Sequence, residues 1–457
     1  MNVPTRFFAA ASLVSTLDRG VIKTHCCNVA LSLLLALGLS ACGGGSGYSG
    51  GSPAPTTYSI GGTIAGLSGT VVLQNNGGDN LTRSVNGGFT FAIRATNGSN
   101  YAVTVLTQPV GQTCNVSNGS GTISNSNVTA VQVSCVPPVL PAADYTVIQL
   151  DPLPGDQRAT AEDINDLAQI VGWSVGETTG QTAVLWSVDQ AGVVTVESLG
   201  KLPGGTFSSA QAVNSNAQVV GFANGASGTR RPFIWTESGG MRDLGVLAGL
   251  VGGQAHQIND NGQVVGAVFQ SEFSDLTAQG RFAIWRVDAG GAVIDIRDLG
   301  TLGGGAASPW DNNFHGNVAG SIWFGSGQQI AFFWTELDGV IEIDGAAEGL
   351  GINDNDEVVG NRLPSGSGGY LWTASGGLTA VPSGILMTIN NSNQAAGGAD
   401  LGSLQQAFIF DDGEAKLLPM PENRDVSWAT SINEAGWIVG WSTDVDGNEY
   451  ANLWMPN

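Results

Sequence analysis

The chain has 457 residues, 68 of them glycine, and only 12% of its positions are charged, the composition of a secreted β-rich protein in which helix-forming surface residues are scarce. Sixteen Lys and Arg against 38 Asp and Glu give a formal net charge of -22. That balance excludes a sequence-independent grip on phosphate backbones, so no nucleic acid is expected as a partner.

In chain order, the basic residues Arg19 and Lys23 are followed by an apolar run, Val29 to Cys42. It is too short to span a bilayer as a helix and has the length of a signal-peptide core. Its end, Leu39-Ser40-Ala41-Cys42, resembles the bacterial lipobox. The resemblance implies a signal peptide over 1–41, diacylglycerol on Cys42, and a membrane partner through that lipid anchor, stable at roughly 0.8 kcal/mol per buried CH₂. Gly43 stands where an Asp would otherwise mark sorting in Gram-negative lipoproteins, which implies the outer membrane or the cell surface in such a host. With Cys26 and Cys27 in the leader and Cys42 lipidated, Cys114 and Cys135 remain as an even pair in an oxidising compartment and are expected to be bridged. Closing their loop contributes on the order of 3 kcal/mol in the chain-entropy picture.

Residues 42–56 are Gly-, Ser- and Pro-rich, a tether that cannot bury apolar surface. Over 57–136, short alternating runs such as "YSIGGTIAG", "GTVVLQNN" and "VTAVQVSC" are separated by Asn, Gly and Ser turns and predict a small β-sandwich. It resembles the Ig-like modules of bacterial surface lipoproteins, which implies a spacer or adhesive role. The Pro-containing stretch over 137–143 is a semi-rigid linker.

From 144 to 457 the text repeats. Seven segments of the type "INDNGQVVG" end at Gly172, Gly221, Gly266, Gly320, Gly360, Gly397 and Gly440. Each carries an asparagine seven residues earlier: Asn165, Asn214, Asn259, Asn313, Asn353, Asn390 and Asn433. An aromatic-capped run follows each, ending at Trp186, Trp235, Trp285, Trp334, Trp372, Phe410 and Trp454, and variants of "LGTLGGG" come after. One four-stranded unit per repeat predicts an all-β fold with a seven-bladed β-propeller. The last repeat stops after its aromatic strand, while an extra strand of the fourth type, "YTVIQLDPLP", precedes the first asparagine. The first strand is therefore expected to complete the last blade and remove two open edges.

"RDLGTLGGG", "INDNGQVVG" and "AFFW" make residues 144–457 similar to the HAF-repeat family of extracellular bacterial proteins. The resemblance implies an extracellular location and no particular reaction. The family's histidine is absent, replaced here by Thr182, Arg231, Arg281, Ile330, Gly368, Gln406 and Tyr450.

Residues that recur in every repeat answer to folding, so function is sought where the pattern breaks. His256 and His315 lie in adjacent repeats without metal-ligand or triad spacing and read as isolated polar residues. "STDVDGNEY" places Asp444, Asp446, Asn448 and Glu449 either in a tight hairpin turn or as oxygen ligands for Ca²⁺, the one cofactor considered; Asp354, Asp356 and Glu357 make a weaker case. Trp173, Trp428, Trp437 and Trp441 fall in the first and last repeats, where they either pack the closure or stack on sugar rings. No nucleophile elbow, phosphate loop or dinucleotide fingerprint is present. The expected function is non-catalytic binding or adhesion to glycan or an envelope protein. A periplasm-facing assembly scaffold and a polysaccharide-active enzyme are the alternatives.

Overall fold

Short β-prone runs cut by glycine and asparagine turns leave no window for a helix, and the described residues contain none. The computed structural model describes 55–457 apart from 110–111, 137–139, 190, 271–279, 326, 364–367, 382–383 and 402–403. The expected signal peptide, Cys42 and most of the tether lie outside the described residues.

Two four-stranded sheets form first. One runs Gly87–Thr90, Ile60–Ala65, Val128–Val136, Thr113–Ser117, and the other Asp79–Arg83, Val71–Asn75, Asn100–Thr107, Ser120–Thr122. Alternate residues of both, among them Ile60, Ile64, Val131, Val71, Leu73 and Val103, meet in one core. Cys114 and Cys135 are direct cross-strand partners and are joined by a disulfide buried against that core. The linker is docked: the Leu417 amide donates to the Pro141 carbonyl, and the Ala143 amide donates to that of Leu417.

From Arg158 the chain folds into antiparallel meanders. The inner strands are Arg158–Ile164, Ser208–Val213, Gly252–Ile258, Ala306–Asn312, Ala346–Ile352, Gly384–Ile389 and Val426–Ile432. The first five each head a separate four-stranded sheet. The other two share one sheet through a single parallel pair, Gln405 with Val426. Successive inner strands neighbour one another, and Arg158–Ile164 packs against both Ser208–Val213 and Val426–Ile432. The strand Tyr145–Leu150 pairs antiparallel with Glu449–Pro456, from Tyr145 opposite Pro456 to Leu150 opposite Ala451, as the sequence led us to expect. Trp186, Trp285 and Trp454, each ending an aromatic strand, are fully buried.

The recurrent asparagines explain themselves. The carboxamide oxygen of Asn165 accepts the amides of Leu167 and Gln169, which fixes its own turn. Its nitrogen donates to the backbone carbonyl of Asn214 at 3.0 Å. Asn214 donates in the same way to Asn259, Asn259 to Asn313, Asn313 to Asn353, Asn353 to Asn390, Asn390 to Asn433, and Asn433 back to Asn165. Only a carboxamide supplies both the acceptor for the turn and the donor for the neighbour. Three residues on, every turn has a positive φ, at Ala168, Ala217, Gly262, Gly316, Asp356, Asn393 and Gly436.

The glycine of "QVVG" faces a bulge in the inner strand. Each inner strand slips one residue in register, at Glu162, Gln211, His256, Trp310, Leu350, Met387 and Thr430. The bulge swings a carbonyl toward the partner strand, so a Cβ on Gly266 would lie 2.1 Å from the Gln254 oxygen, and the other six glycines stand 1.9 to 2.4 Å from theirs. In "RDLG", Asp243 and Asp298 cap their own turns and pair with Arg231 and Arg281.

Candidate functional site

The seven bulges lie three residues before the asparagine circle, on strands that surround one axis. Their side chains bond within the inner strands and to the strands beside them. The Trp173 indole donates to Glu162 at 3.2 Å, Gln211 donates to the Ala210 carbonyl, His256 bonds Gln254 at 2.7 Å, and the Trp310 indole donates to Ser321 at 3.1 Å. They form a rim around the axis, midway along the inner strands. Six of them are half-buried, whereas the residue before each is buried; His256 is 9% exposed.

Around this rim the residues are all different. Thr430, Glu162, Gln211 and His256 form a polar sector; Trp310, Leu350 and Met387 form an apolar one. The Trp310 indole is stacked on His256 with ring centroids 4.9 Å apart and meets Trp323 edge-on. Arg230 lies over the Phe222 ring and donates to Gln254 at 2.8 Å. Burial holds the His256 imidazole at a pKa of about 4, so it is neutral, and lowers Arg230 to about 10, which leaves it charged.

One residue past the bulge, two carboxylates bind sheet to sheet. Asp163 accepts the Val213 amide at 2.9 Å and the Ser431 hydroxyl at 2.6 Å, joining three sheets, and Asp311 accepts the Ile352 amide at 2.9 Å. Burial raises Asp163 to about 6. Burial, with the charge of Asp163 added, raises Asp311 to about 7.

The residues singled out from sequence serve packing and turns. Trp173 and Trp428 are 6% and 9% exposed, with Trp428 laid over Gly398, so they pack the sheets and present no open face to a sugar. Trp441 is the cross-strand partner of Trp428 and is half-buried, and Trp437 packs in the core shared by the first and last sheets. Asp444 accepts the amides of Asp446 and Asn448, the Asn448 carboxamide and the Tyr450 hydroxyl, bonds that hold it at about 2. Both its oxygens thus serve the hairpin; Glu449 pairs across the same hairpin with Thr443. Among the described residues, no three His, Cys, Asp or Glu side chains are grouped to hold a metal ion. Asp354, Asp356 and Glu357 accept from Phe314, Asn313 and Asn353 within the asparagine turns. His315 sits exposed in one of those turns, against Phe314.

Antiparallel meanders set around an axis with their first strands innermost are the construction of a β-propeller. No family model matches the chain, and no curated protein matches it. Among solved structures it is similar to an acylaminoacyl peptidase of Pyrococcus horikoshii, at 10% identity and a TM-score of 0.44 over 67% of this chain and 53% of that one. A gluconolactonase of Xanthomonas campestris gives 14% identity and 0.37, covering 70% and 98%. A lectin of Burkholderia pseudomallei gives 11% and 0.39, covering 70% and 97%. The chain spans about half the length of the peptidase.

Proposed function

We propose that this protein is a lipid-anchored cell-envelope module that binds a glycan or an envelope protein without catalysis. In this reading Cys42 carries the acyl chains and 42–56 is the tether. An Ig-like sandwich over 57–136 acts as spacer, and a seven-bladed HAF-type propeller over 144–457, closed by Tyr145–Leu150, presents the axial rim. The circle of asparagine bonds supports the blade number, and the shared core with its buried disulfide supports the sandwich.

One observation carries the binding role. Positions that the fold requires repeat around the ring, as the asparagines and the bulge-facing glycines do. The bulge position is structurally equivalent in every unit, borders solvent in six of the seven, and holds seven different side chains. A rigid backbone that leaves side-chain choice free is what a recognition surface needs.

The test uses detergent-solubilised full-length protein on glycan and cell-wall polysaccharide arrays and in pull-downs from envelope extracts. Gln211→Ala combined with Met387→Ala should weaken capture by about tenfold, the scale of a moderate interface hot spot. Leu337→Ala, at a site 91% exposed, should leave capture unchanged. Equal capture by all three proteins would remove the rim from the reading. Cys42→Ser should move the protein from the membrane pellet to the soluble fraction, and continued pelleting would overturn the anchor.

A further inference from the structure

The rim is divided by chemistry. Trp310, Leu350 and Met387 follow one another on adjacent inner strands; Thr430, Glu162, Gln211 and His256 complete the circle, with His256 beside Trp310. Trp310 is also fixed in place: Ser321 accepts from its indole nitrogen, Trp323 makes a T-shaped contact with it, and His256 covers one face. Trp310 is half-buried, so what reaches solvent lies off the face that His256 covers. A flat apolar platform held by three contacts loses little entropy when a ligand stacks on it. Hydrogen-bonding groups placed across from such a platform set the orientation of what stacks.

The electrostatics narrow the ligand. Glu162 stands on the rim and Asp163 and Asp311 lie just beneath it, while Arg230 is committed to Gln254 and the Phe222 ring. A ligand carboxylate or sulfate entering here meets an excess of negative charge.

Building on the binding reading above, we propose that the rim takes an uncharged hexopyranose. The apolar face of the sugar lies on Trp310 beside Leu350 and Met387, and its hydroxyls point to Glu162 and Gln211. A pyranose has the required shape, one C–H face and an equatorial belt of hydroxyls, and it carries no charge to oppose Glu162.

Isothermal titration of the full-length protein with methyl gluco-, galacto- and mannopyranosides, their oligosaccharides and the matching uronides tests this. At least one neutral series should bind, with its uronide at least tenfold weaker. Trp310→Ala should weaken that binding by tenfold or more, Trp310→Phe should restore part of it, and Leu350→Gln, at a half-exposed site, should weaken it even if Trp310→Ala does not fold. Neutral binding that survives both Trp310→Ala and Leu350→Gln would overturn the site while leaving a glycan module intact. A preference for uronides would overturn the choice of ligand. Binding of no sugar, with capture of an envelope protein at the rim, would overturn this proposal and leave the protein arm of the broader reading standing.

Discussion

Replacing Asn433 by alanine tests whether the ring closes. The Asn433 carboxamide accepts the amides of Ala435 at 3.1 Å and Trp437 at 2.9 Å and donates 3.2 Å to the Asn165 carbonyl, 268 residues away. The side chain is 6% exposed, so truncation strips partners from three backbone groups with little water to replace them. Each net bond contributes about 1 kcal/mol, and an orphaned buried group costs about 1–3 kcal/mol. We therefore expect a loss of about 3 kcal/mol, a large part of a domain's stability. Asn259 makes the equivalent three bonds, to Asn261, Gln263 and Asn313, in the middle of the sequence. In a closed circle Asn433→Ala and Asn259→Ala should cost the same, measured by urea unfolding with tryptophan fluorescence. In an open array Asn433 would keep its two turn bonds and lack only the one to Asn165, so its loss would cost about 1 kcal/mol less than that of Asn259. A shift for Asn433→Ala smaller than that for Asn259→Ala by about 1 kcal/mol or more would refute the reasoning.

Gly266→Ala places a Cβ 2.1 Å from the Gln254 carbonyl and 2.9 Å from the Ala255 Cα, so backbone must move, and we expect a loss of at least about 2 kcal/mol; a near-neutral variant would show that the bulge is not rigid. Ala217 holds φ +57, where a left-handed non-glycine residue costs about 1–2 kcal/mol. Glycine's flexibility in the unfolded chain takes back about 0.5–1 kcal/mol. Ala217→Gly should thus raise the melting temperature slightly, and a drop would contradict the strain argument. Asp311 is held near 7 against an ordinary 3.8, so its unpaired charge erodes stability as pH rises from about 4 through 7. His256, lowered to about 4, acts in the opposite sense below pH 6.5 but is common to both proteins. Asp311→Asn should gain on the parent by about 2 kcal/mol between pH 5 and pH 8, at about 1.4 kcal/mol per pKa unit, and a difference flat in pH would count against the burial of that carboxylate.

The scaffold was legible because folding demands leave the same mark each time. The asparagine that bonds its neighbour and the glycine that clears a bulge cannot be exchanged, so both recur at fixed spacing and expose the strand order and the closing strand. The rim stayed hidden for the converse reason. A bulge adds one residue without any compositional signal, and at Glu162, Gln211 or Leu350 the fold accepts many side chains. What could have revealed it is the alignment itself, read for the column that fails to repeat three residues before each asparagine. Trp173 and Trp428 left two readings open because a tryptophan in a strand looks the same whether a neighbouring sheet covers it or not. Asp444 did so too, because an aspartate-capped hairpin and a metal loop draw on the same residues.

The asparagine bonds all run one way, each donor reaching forward to the next unit and the last reaching the first. That is the contact pattern of a head-to-tail cyclic oligomer, in which one asymmetric interface is reused until the rotation closes. Here a single polypeptide plays every subunit. A stacked array can gain or lose a repeat and merely change length, but a circle of this kind cannot: removing one unit strands a donor and a carbonyl on opposite sides of the gap.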